Sequence, residues 1–292
     1  MTSGPFISII IPAWNSEKRI VMTLEAIARQ SALREQFEVI VVDNGSTDGT
    51  ADAARRFDFV KLLSEPVPGS YRARNRGLAA ARGEYVLFTD ADCVPAPDWV
   101  EQAILAIRQM PDAGLHAGEI VLFREQGAGG LAASYEELFS FNQKGNVAHG
   151  ICVTANWLCR RDDLRAIGGF NQDLLSGGDT DCSRRMVATG HKLVHAPRMV
   201  VGHPTRASLR ELIHKRRRVA GGRWKVDGME KAGSRDTLRQ YAREALSLAR
   251  ATKNSDKSAG AKVGIIGIVG ILMLASQLEV LRLAAGRPPH RS

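Results

Sequence analysis

The sequence has few cysteines, and none of them has a neighbour at the spacing of a disulfide framework or a zinc site. Four occur in 292 residues, and no two of them are separated by only two residues. Isolated thiols of this kind are typical of proteins in a reducing compartment. We therefore expect buried free thiols and exclude the small disulfide-rich and zinc-finger classes. The four cysteines are Cys93, Cys152, Cys159 and Cys182.

Three other signals are also missing near the first strand and along the chain. The apolar run at residues 6–11 is short and ends at Pro12, so we expect no signal peptide there. No Gly-x-Gly-x-x-Gly motif follows it, which argues against an oxidoreductase that binds a dinucleotide. Zinc-finger and RNA-recognition patterns are absent as well, so we expect no nucleic-acid partner.

Positive charge is concentrated in one C-terminal segment. The net charge is +9, yet residues 198–262 hold 17 Lys and Arg against 6 Asp and Glu, whereas the remainder holds 23 against 25. The densest run is Lys-Arg-Arg-Arg at residues 215–218. A basic segment of this kind attracts anionic lipid or a phosphorylated substrate. We expect an anionic membrane surface among its partners.

Short apolar runs alternate with segments of helical spacing in the first third of the chain. This order predicts an α/β fold with parallel strands and right-handed crossovers. Functional loops of such sheets gather at the carboxyl ends of the strands, here after Ile11, Val42 and Thr89. The predicted strands are residues 7–11, 37–42, 59–63 and 84–89, and the predicted helices are 17–28, 50–57 and 70–81.

The rest of the chain mixes both element types and ends in an apolar run. Residues 263–278 carry no charge but are fewer than the roughly 20 that a spanning helix needs. Their glycines and the basic residues before them favour a membrane-associated helix over a buried core helix. Further helices are predicted at 98–110, 131–141, 161–167 and 179–189, and strands at 114–123, 151–158 and 193–201.

The most informative motif is the acid pair Asp90 and Asp92, which follows a predicted buried strand. Residues two apart in a strand point to the same side. Buried carboxylates are costly unless a cation or hydrogen-bond donors meet them, and hard divalent cations prefer carboxylate and phosphate oxygens. An isolated Asp-x-Asp is also common in solvated turns, so the interpretation depends on the residues around it.

Five further residues are candidates for such a site. Asp43 ends the second strand, where it can accept from a nucleoside or cap the following turn. Arg74 can reach a diphosphate or lie on a solvated helix face. Asp179 and Asp181 begin a predicted helix, where acids favour the helix dipole and can also serve as a general base. His203 follows a strand and is either structural or a metal ligand.

The ordered set of motifs resembles the family 2 glycosyltransferases over roughly residues 6–205. Each motif is short, but their order along the chain is specific. The resemblance implies a GT-A-type α/β fold with a mainly parallel central sheet. It also implies inverting transfer of a sugar from a nucleoside-diphosphate sugar, with Mn²⁺ or Mg²⁺. The segments that carry the resemblance are residues 9–15, 41–48, 73–77, 88–92, 168–170 and 178–181.

Roles follow from the motif match, residue by residue. Asp90 and Asp92 resemble the metal pair, with Asp92 the more direct ligand, and His203 resembles a histidine near the metal. Asp179 resembles the base, the second acid of the family's Glu-Asp. Because Gly178 stands in place of the glutamate, Asp181 stays an alternative base. The predicted nucleotide-sugar contacts are Pro12, Ala13, Asn15, Glu17, Asp43, Arg74, Asp90 and Ala91.

The resemblance also bears on the product and the regions of the chain. Processive relatives carry Gln-x-x-Arg-Trp, but here Ala220 precedes Arg223 and Trp224. We therefore expect transfer of a single sugar, with Arg223 and Trp224 as acceptor or diphosphate contacts. The predicted regions are a glycosyltransferase domain at 1–205 (nucleotide half about 1–95, acceptor half about 96–205), a basic helical segment at 206–258, and a hydrophobic membrane-anchor helix and tail at 259–292.

The expected partners are a nucleoside-diphosphate sugar and a glycan or lipid-linked acceptor at the cytoplasmic face of the cell membrane. Two alternatives remain open. A sugar-1-phosphate nucleotidyltransferase has a similar nucleotide fold, but its Gly-rich basic loop after the first strand is absent. A catalytically silent nucleotide-sugar-binding scaffold at the membrane would not need Asp90, Asp92 and Asp179.

Overall fold

The computed structural model describes residues 6–125, 130–226 and 234–287. Contacts divide the chain into two compact units. The first comprises Met1–Val121, Phe141–Asp173 and Gly178–His203, and the second comprises Leu122–Ser140, Leu174–Gly177 and Pro204–Ser292. The second unit thus takes in two short segments that the predicted boundary at residue 205 left in the glycosyltransferase domain.

A mixed sheet of eight strands forms the frame of the first unit within the described residues. The strands are β1 (Ile7–Ala13), β2 (Phe37–Asp43), β3 (Val60–Ser64), β4 (Tyr85–Phe88), β5 (Val94–Pro95), β6 (Ala113–Phe123), β7 (Trp157–Arg160) and β8 (Lys192–Pro204). Their order is β3-β2-β1-β4-β7-β6-β8-β5. β1 pairs in parallel with β2 and β4, as does β2 with β3, whereas β4–β7, β6–β7 and β5–β8 are antiparallel.

Helices cover the sheet, and the predicted α/β class is confirmed. β1 is fully buried from Ile7 to Ile11, as expected for a strand covered on both faces. All four cysteines are buried free thiols, also as predicted. The helices are α1 (Glu17–Ala28), α2 (Thr50–Arg55), α3 (Ser70–Ala80), α4 (Trp99–Gln109), α5 (Leu131–Phe139), α6 (Gln143–Val147), α7 (Arg161–Ala166), α8 (Gly178–Ala188), α9 (Leu209–Val226), α10 (Ser234–Asn254) and α11 (Ala259–Ala284).

The predicted strand at 151–158 is wrong over most of its length. Residues 154–156 form a 3-10 turn, and the strand begins only at Trp157. Side-chain amides replace the expected ladder here: Gln143 accepts from the N–H of Val153 at 3.0 Å and donates to the carbonyl of Asn156. The Asn156 amide in turn donates to the carbonyl of Glu119 at 2.8 Å. These polar bonds outweigh the β-propensity of the apolar residues.

The second unit is helical, with α11 packed against α5, α9 and α10. Its apolar core includes Leu212, Tyr241 and Leu272. The hydrophobic helix predicted at the C-terminus is therefore present as α11. By length and composition it is able to cross a membrane, with a mean hydropathy of 2.0, but half of its most apolar window is buried inside the protein.

Candidate active site

The loops that carry the predicted site residues begin at neighbouring strand ends of the first unit. In the parallel register Ala13 pairs with Asp43, and Ile10 pairs with Phe88. The loop with the acid pair therefore starts beside the ends of β1 and β2. Because carboxyl ends of neighbouring parallel strands form the usual ligand edge of an α/β sheet, this placement agrees with the expected nucleotide site.

Hydrogen bonds join the loop after β1 to the loop after β2. Asn15 has a φ of 46°, in the left-handed region that asparagine tolerates. Its side-chain oxygen accepts from the N–H of Thr47 at 2.9 Å, and its own N–H donates to Ser46 Oγ at 3.0 Å. The N–H of Glu17 donates to Asp48 Oδ2 at 3.2 Å. Predicted nucleotide residues from both loops are thus held together.

Asp43 has a buried carboxylate oxygen that lacks a partner. Its Oδ1 makes no hydrogen bond within the described residues. Asn44 makes the turn instead, since its Nδ2 donates to the carbonyls of Glu65 and Val67 and its Oδ1 accepts from the N–H of Gly69. A buried polar atom without a partner costs roughly 1–3 kcal/mol. A ligand N–H or hydroxyl therefore suits Asp43 better than a turn-capping role.

The predicted metal ligands form one group. Ligand atoms of Asp90, Asp92, Cys93 and His203 all lie within 4.8 Å of one another. His203 Nε2 is 3.8 Å from Asp92 Oδ1, and its ring is buried against Phe141. Burial and the neighbouring aspartates raise the pKa of the Cys93 thiol well above its usual value, so this sulfur is a poor ligand. The carboxylates and imidazole fit a divalent cation such as Mn²⁺.

Arg74 connects helix α3 to the acid pair. Its side chain is buried, and its Nη2 donates to Asp90 Oδ1. This ion pair occupies one oxygen of Asp90 and leaves Asp92 as the stronger ligand candidate. The Nε of Arg74 is buried and makes no hydrogen bond within the part of the chain described. A phosphate oxygen would supply the acceptor that this N–H lacks.

Helix α1 supplies two supports of the acid pair that the sequence analysis missed. Arg19 Nη1 lies 3.6 Å from Asp92 Oδ2. Thr23 Oγ1 lies 3.0 Å from the carbonyl oxygen of Ala91 and 2.7 Å from that of Cys93. Arg19 and Thr23 are one helical turn apart, so their common face was the available signal. For Ala91 itself, the predicted nucleotide contact stays a prediction.

The structure distinguishes the two candidate bases by their partners. Asp181 Oδ2 accepts from Arg185 Nε at 2.9 Å. The same guanidinium donates to the carbonyls of Ile167 and Gly169, so this ion pair braces the turn before α8. Asp179 instead accepts from the N–H of its neighbour Thr180 at 3.0 Å. Because Asp181 is engaged in a structural ion pair, Asp179 is the stronger candidate.

Arg223 and Trp224 lie in the second unit. Arg223 Nη1 donates to Glu244 Oε2 at 2.8 Å. Trp224 is partly buried and packs against the apolar cluster around Tyr241. Both side chains thus have internal partners, and their predicted contact with the acceptor or diphosphate stays a prediction.

Comparisons with known proteins agree with this geometry. Residues 8–168 match the family model described as Glycosyl transferase family 2. The glycosyltransferase AglE of Haloferax volcanii is 33% identical over 238 residues, which cover 78% of this chain and 77% of that protein. A second relative is the dolichyl N-acetyl-alpha-D-glucosaminyl phosphate 3-beta-D-2,3-diacetamido-2,3-dideoxy-beta-D-glucuronosyltransferase of Methanococcus voltae, 25% identical over 231 residues, with coverage of 71% and 70%.

A solved structure shares the fold. The mannosyltransferase PcManGT from Pyrobaculum calidifontis, in complex with GDP-Man and Mn²⁺, superposes with a TM-score of 0.57 at 23% identity. The match covers 98% of this chain and 76% of that one. The chain therefore belongs to glycosyl transferase family 2 and has a GT-A-type fold, as its motifs suggested. Family membership also displaces the nucleotidyltransferase alternative.

Proposed function

We propose that the protein transfers one sugar from a nucleoside-diphosphate sugar to an acceptor hydroxyl, with inversion at the anomeric carbon. The observation that carries this proposal is the set of buried polar atoms without partners at one sheet edge. Asp43 Oδ1 suits a hydroxyl or N–H of the nucleoside, and Arg74 Nε suits an oxygen of the diphosphate. Both atoms belong to the unit that contains the metal-ligand group.

Asp90, Asp92 and His203 would hold a divalent cation, Mn²⁺ or Mg²⁺. When bound, such a cation offsets the negative charge that develops on a leaving diphosphate. The presence of Mn²⁺ with GDP-Man in the solved PcManGT supports this class of metal. Arg74 adds a positive charge next to Asp90, so the protein itself contributes to the same electrostatic task.

Asp179 acts as the general base in this proposal. Its carboxylate takes the proton of the acceptor hydroxyl while the hydroxyl oxygen forms a bond to the anomeric carbon. The attack comes from the face opposite the diphosphate, whose bond to that carbon breaks and whose oxygen keeps the electron pair. One displacement inverts the anomeric centre and needs no covalent intermediate.

The reaction stops after one sugar in our proposal. Ala220 stands where processive relatives have the glutamine of Gln-x-x-Arg-Trp. Arg223, the arginine of that motif, pairs with Glu244 at 2.8 Å. A chain without the glutamine lacks one of the groups that processive relatives share, which supports release after a single transfer.

The acceptor is, we propose, a glycan or lipid-linked glycan at the cytoplasmic face of the membrane. The printed name of the M. voltae relative specifies a dolichyl phosphate substrate, which supports a lipid-linked acceptor. Helix α11 adds support because one of its faces is apolar and exposed. A Cβ added at Gly267 or Gly270 on this face would meet no atom within 4 Å. Its exposed large residues are Val263, Ile266, Ile271, Leu274, Leu278 and Leu281.

Turnover of a panel of nucleoside-diphosphate sugars with Mn²⁺ tests the function. We expect the wild type to release nucleoside diphosphate from at least one donor, and Asp179→Asn to lose about 10²–10⁴-fold in rate, the usual contribution of a general base. Asp173→Asn is the matched control because Asp173 is exposed and pairs with Arg72 in the same unit.

Two results would count against this assignment. Near-normal turnover by Asp179→Asn, with its melting temperature unchanged, would remove Asp179 as the base. Donor binding by the wild type with no turnover of any donor would favour the silent scaffold over an enzyme.

A further inference from the structure

Helix α3 places a tyrosine beside the proposed base. The Tyr71 ring is buried, and its hydroxyl lies 3.5 Å from Asp179 Oδ1. This is long for an O–H···O bond, but catalytic hydrogen bonds often tighten only in the complex with substrate. The Thr180 N–H, the other printed donor to this oxygen, belongs to α8 itself. Tyr71 therefore reaches the base from a separate element.

Gly178 explains why the tyrosine fits. This glycine stands where the family motif has its glutamate, directly before Asp179. A Cβ at residue 178 would lie 2.6, 2.7 and 2.8 Å from three carbons of the Tyr71 ring. Such distances are far inside van der Waals contact, so the ring and a side chain at 178 exclude each other. The Tyr71 ring thus occupies the space into which a glutamate at 178 would begin.

The ring of Tyr71 is held in place by its neighbours. Phe170 stacks on it, with ring centroids 5.8 Å apart and an interplanar angle of 23°. Asn75, one turn along α3, binds both backbone groups of Phe170, donating to its carbonyl at 2.8 Å and accepting from its N–H at 2.9 Å. This clamp fixes the stacking partner, so the hydroxyl of Tyr71 has a defined position.

The same helix also holds the acid pair. The guanidinium carbon of Arg74 lies 5.6 Å from the Tyr71 ring centroid, while its Nη2 donates to Asp90. Tyr71 and Arg74 are three residues apart and lie on one face of α3. A single rigid helix therefore carries the contact to the base and the contact to the metal-ligand group.

We propose that Tyr71 is a positioning residue for Asp179 and stands in for the missing side chain at position 178. Its hydroxyl holds the carboxylate in the orientation in which it meets the acceptor hydroxyl. This inference rests on the proposed function, because it requires Asp179 to be the base. It also makes Tyr71 and Gly178 a coupled pair, in which a change of either residue alone disturbs the base.

Tyr71→Phe tests the hydroxyl because it keeps the stacked ring. We expect kcat to fall about tenfold, while the KM for the donor stays within about twofold, since the proposed donor contacts at Asp43 and Arg74 are untouched. Tyr85→Phe is the matched control, because Tyr85 is an equally buried tyrosine in β4 of the same unit. It should keep the kcat of the wild type.

The coupling between the two positions gives a second, independent test. Gly178→Glu alone should lower kcat strongly, because the new side chain meets the ring. Adding Tyr71→Ala opens that space, so we expect the double variant to recover at least about tenfold in kcat over Gly178→Glu. This comparison decides the matter if Tyr71→Phe fails to fold, as judged by its melting temperature.

The outcomes separate this inference from the proposed function. Wild-type kcat in Tyr71→Phe, with Asp179→Asn inactive, would overturn the positioning role and leave the function standing. Turnover in Asp179→Asn would overturn the base assignment and this inference together. A raised KM with unchanged kcat in Tyr71→Phe would show a substrate contact instead, and an additive double variant would contradict the coupling.

Discussion

The sheet edge of the first unit and the helical core of the second unit use buried charge in different ways. At the sheet edge, atoms of Asp43 and Arg74 are buried without a hydrogen-bond partner within the described residues. In the second unit, the fully buried Glu136 meets both Arg206 at 2.9 Å and Lys215 at 2.7 Å. Polar atoms left open indicate a ligand site, whereas paired ones indicate a structural role.

The basic run at residues 215–218 belongs largely to the structural kind. Three of its cations pair with acids on the other helices of the second unit, and so they hold α9 in place. The interpretation of this run as a patch for anionic lipid is thereby weakened, and the exposed apolar face of α11 becomes the stronger reason for membrane association. The pairs are Lys215–Glu136, Arg216–Glu244 and Arg217–Glu279.

Glu136→Gln should break this comparison most strongly, because it removes a buried charge that two cations contact. Loss of one member of a buried ion pair typically costs about 3–5 kcal/mol, and denaturant unfolding at pH 7 measures it. Glu84→Gln is the matched control, since Glu84 pairs with Arg160 on the surface and such pairs contribute about 0–1 kcal/mol. Equal losses in the two variants would contradict a structural role for the buried pair.

The same residue predicts acid sensitivity. Burial alone would raise the pKa of Glu136, but Lys215 and Arg206 lower it to about 2 from a model value of 4.5. A lowered carboxyl pKa gives stability that is present above about pH 4.5 and is lost as the pH falls towards 2. The wild type should lose stability across this window more steeply than Glu136→Gln. Parallel pH curves for both proteins would show that Glu136 is not responsible.

A smaller effect is expected at the exposed face of α11. Leu274→Glu should weaken binding to vesicles that contain anionic lipid by about tenfold, since it places a charge where an apolar side chain would be buried. Leu33→Glu, an equally exposed leucine of the first unit, is the control and should leave binding unchanged. Absence of vesicle binding by the wild type would contradict the membrane role, as would a dimer that covers this face.

Local patterns were enough to predict the sheet edge, but not the pairing of charges across the chain. The alternation of strands and helices, Asp43 and the acid pair all follow from short motifs at strand ends. Even the choice of base was partly visible, because Asp181 and Arg185 have the i, i+4 spacing of a helical ion pair. The partners of residues 215–218 lie 28 to 79 residues away, so no local pattern could reveal them.

The central claim is that the sheet edge of the first unit binds a nucleoside diphosphate together with a divalent cation. A thermal-shift screen of nucleoside diphosphates with Mn²⁺ tests it directly, because a ligand at 100 times its Kd stabilises the folded state by about 2.7 kcal/mol. We expect at least one nucleoside diphosphate to raise the melting temperature of the wild type, and the shift to vanish in Asp92→Ala. No shift with any of them, or an equal shift in Asp92→Ala, would contradict the claim.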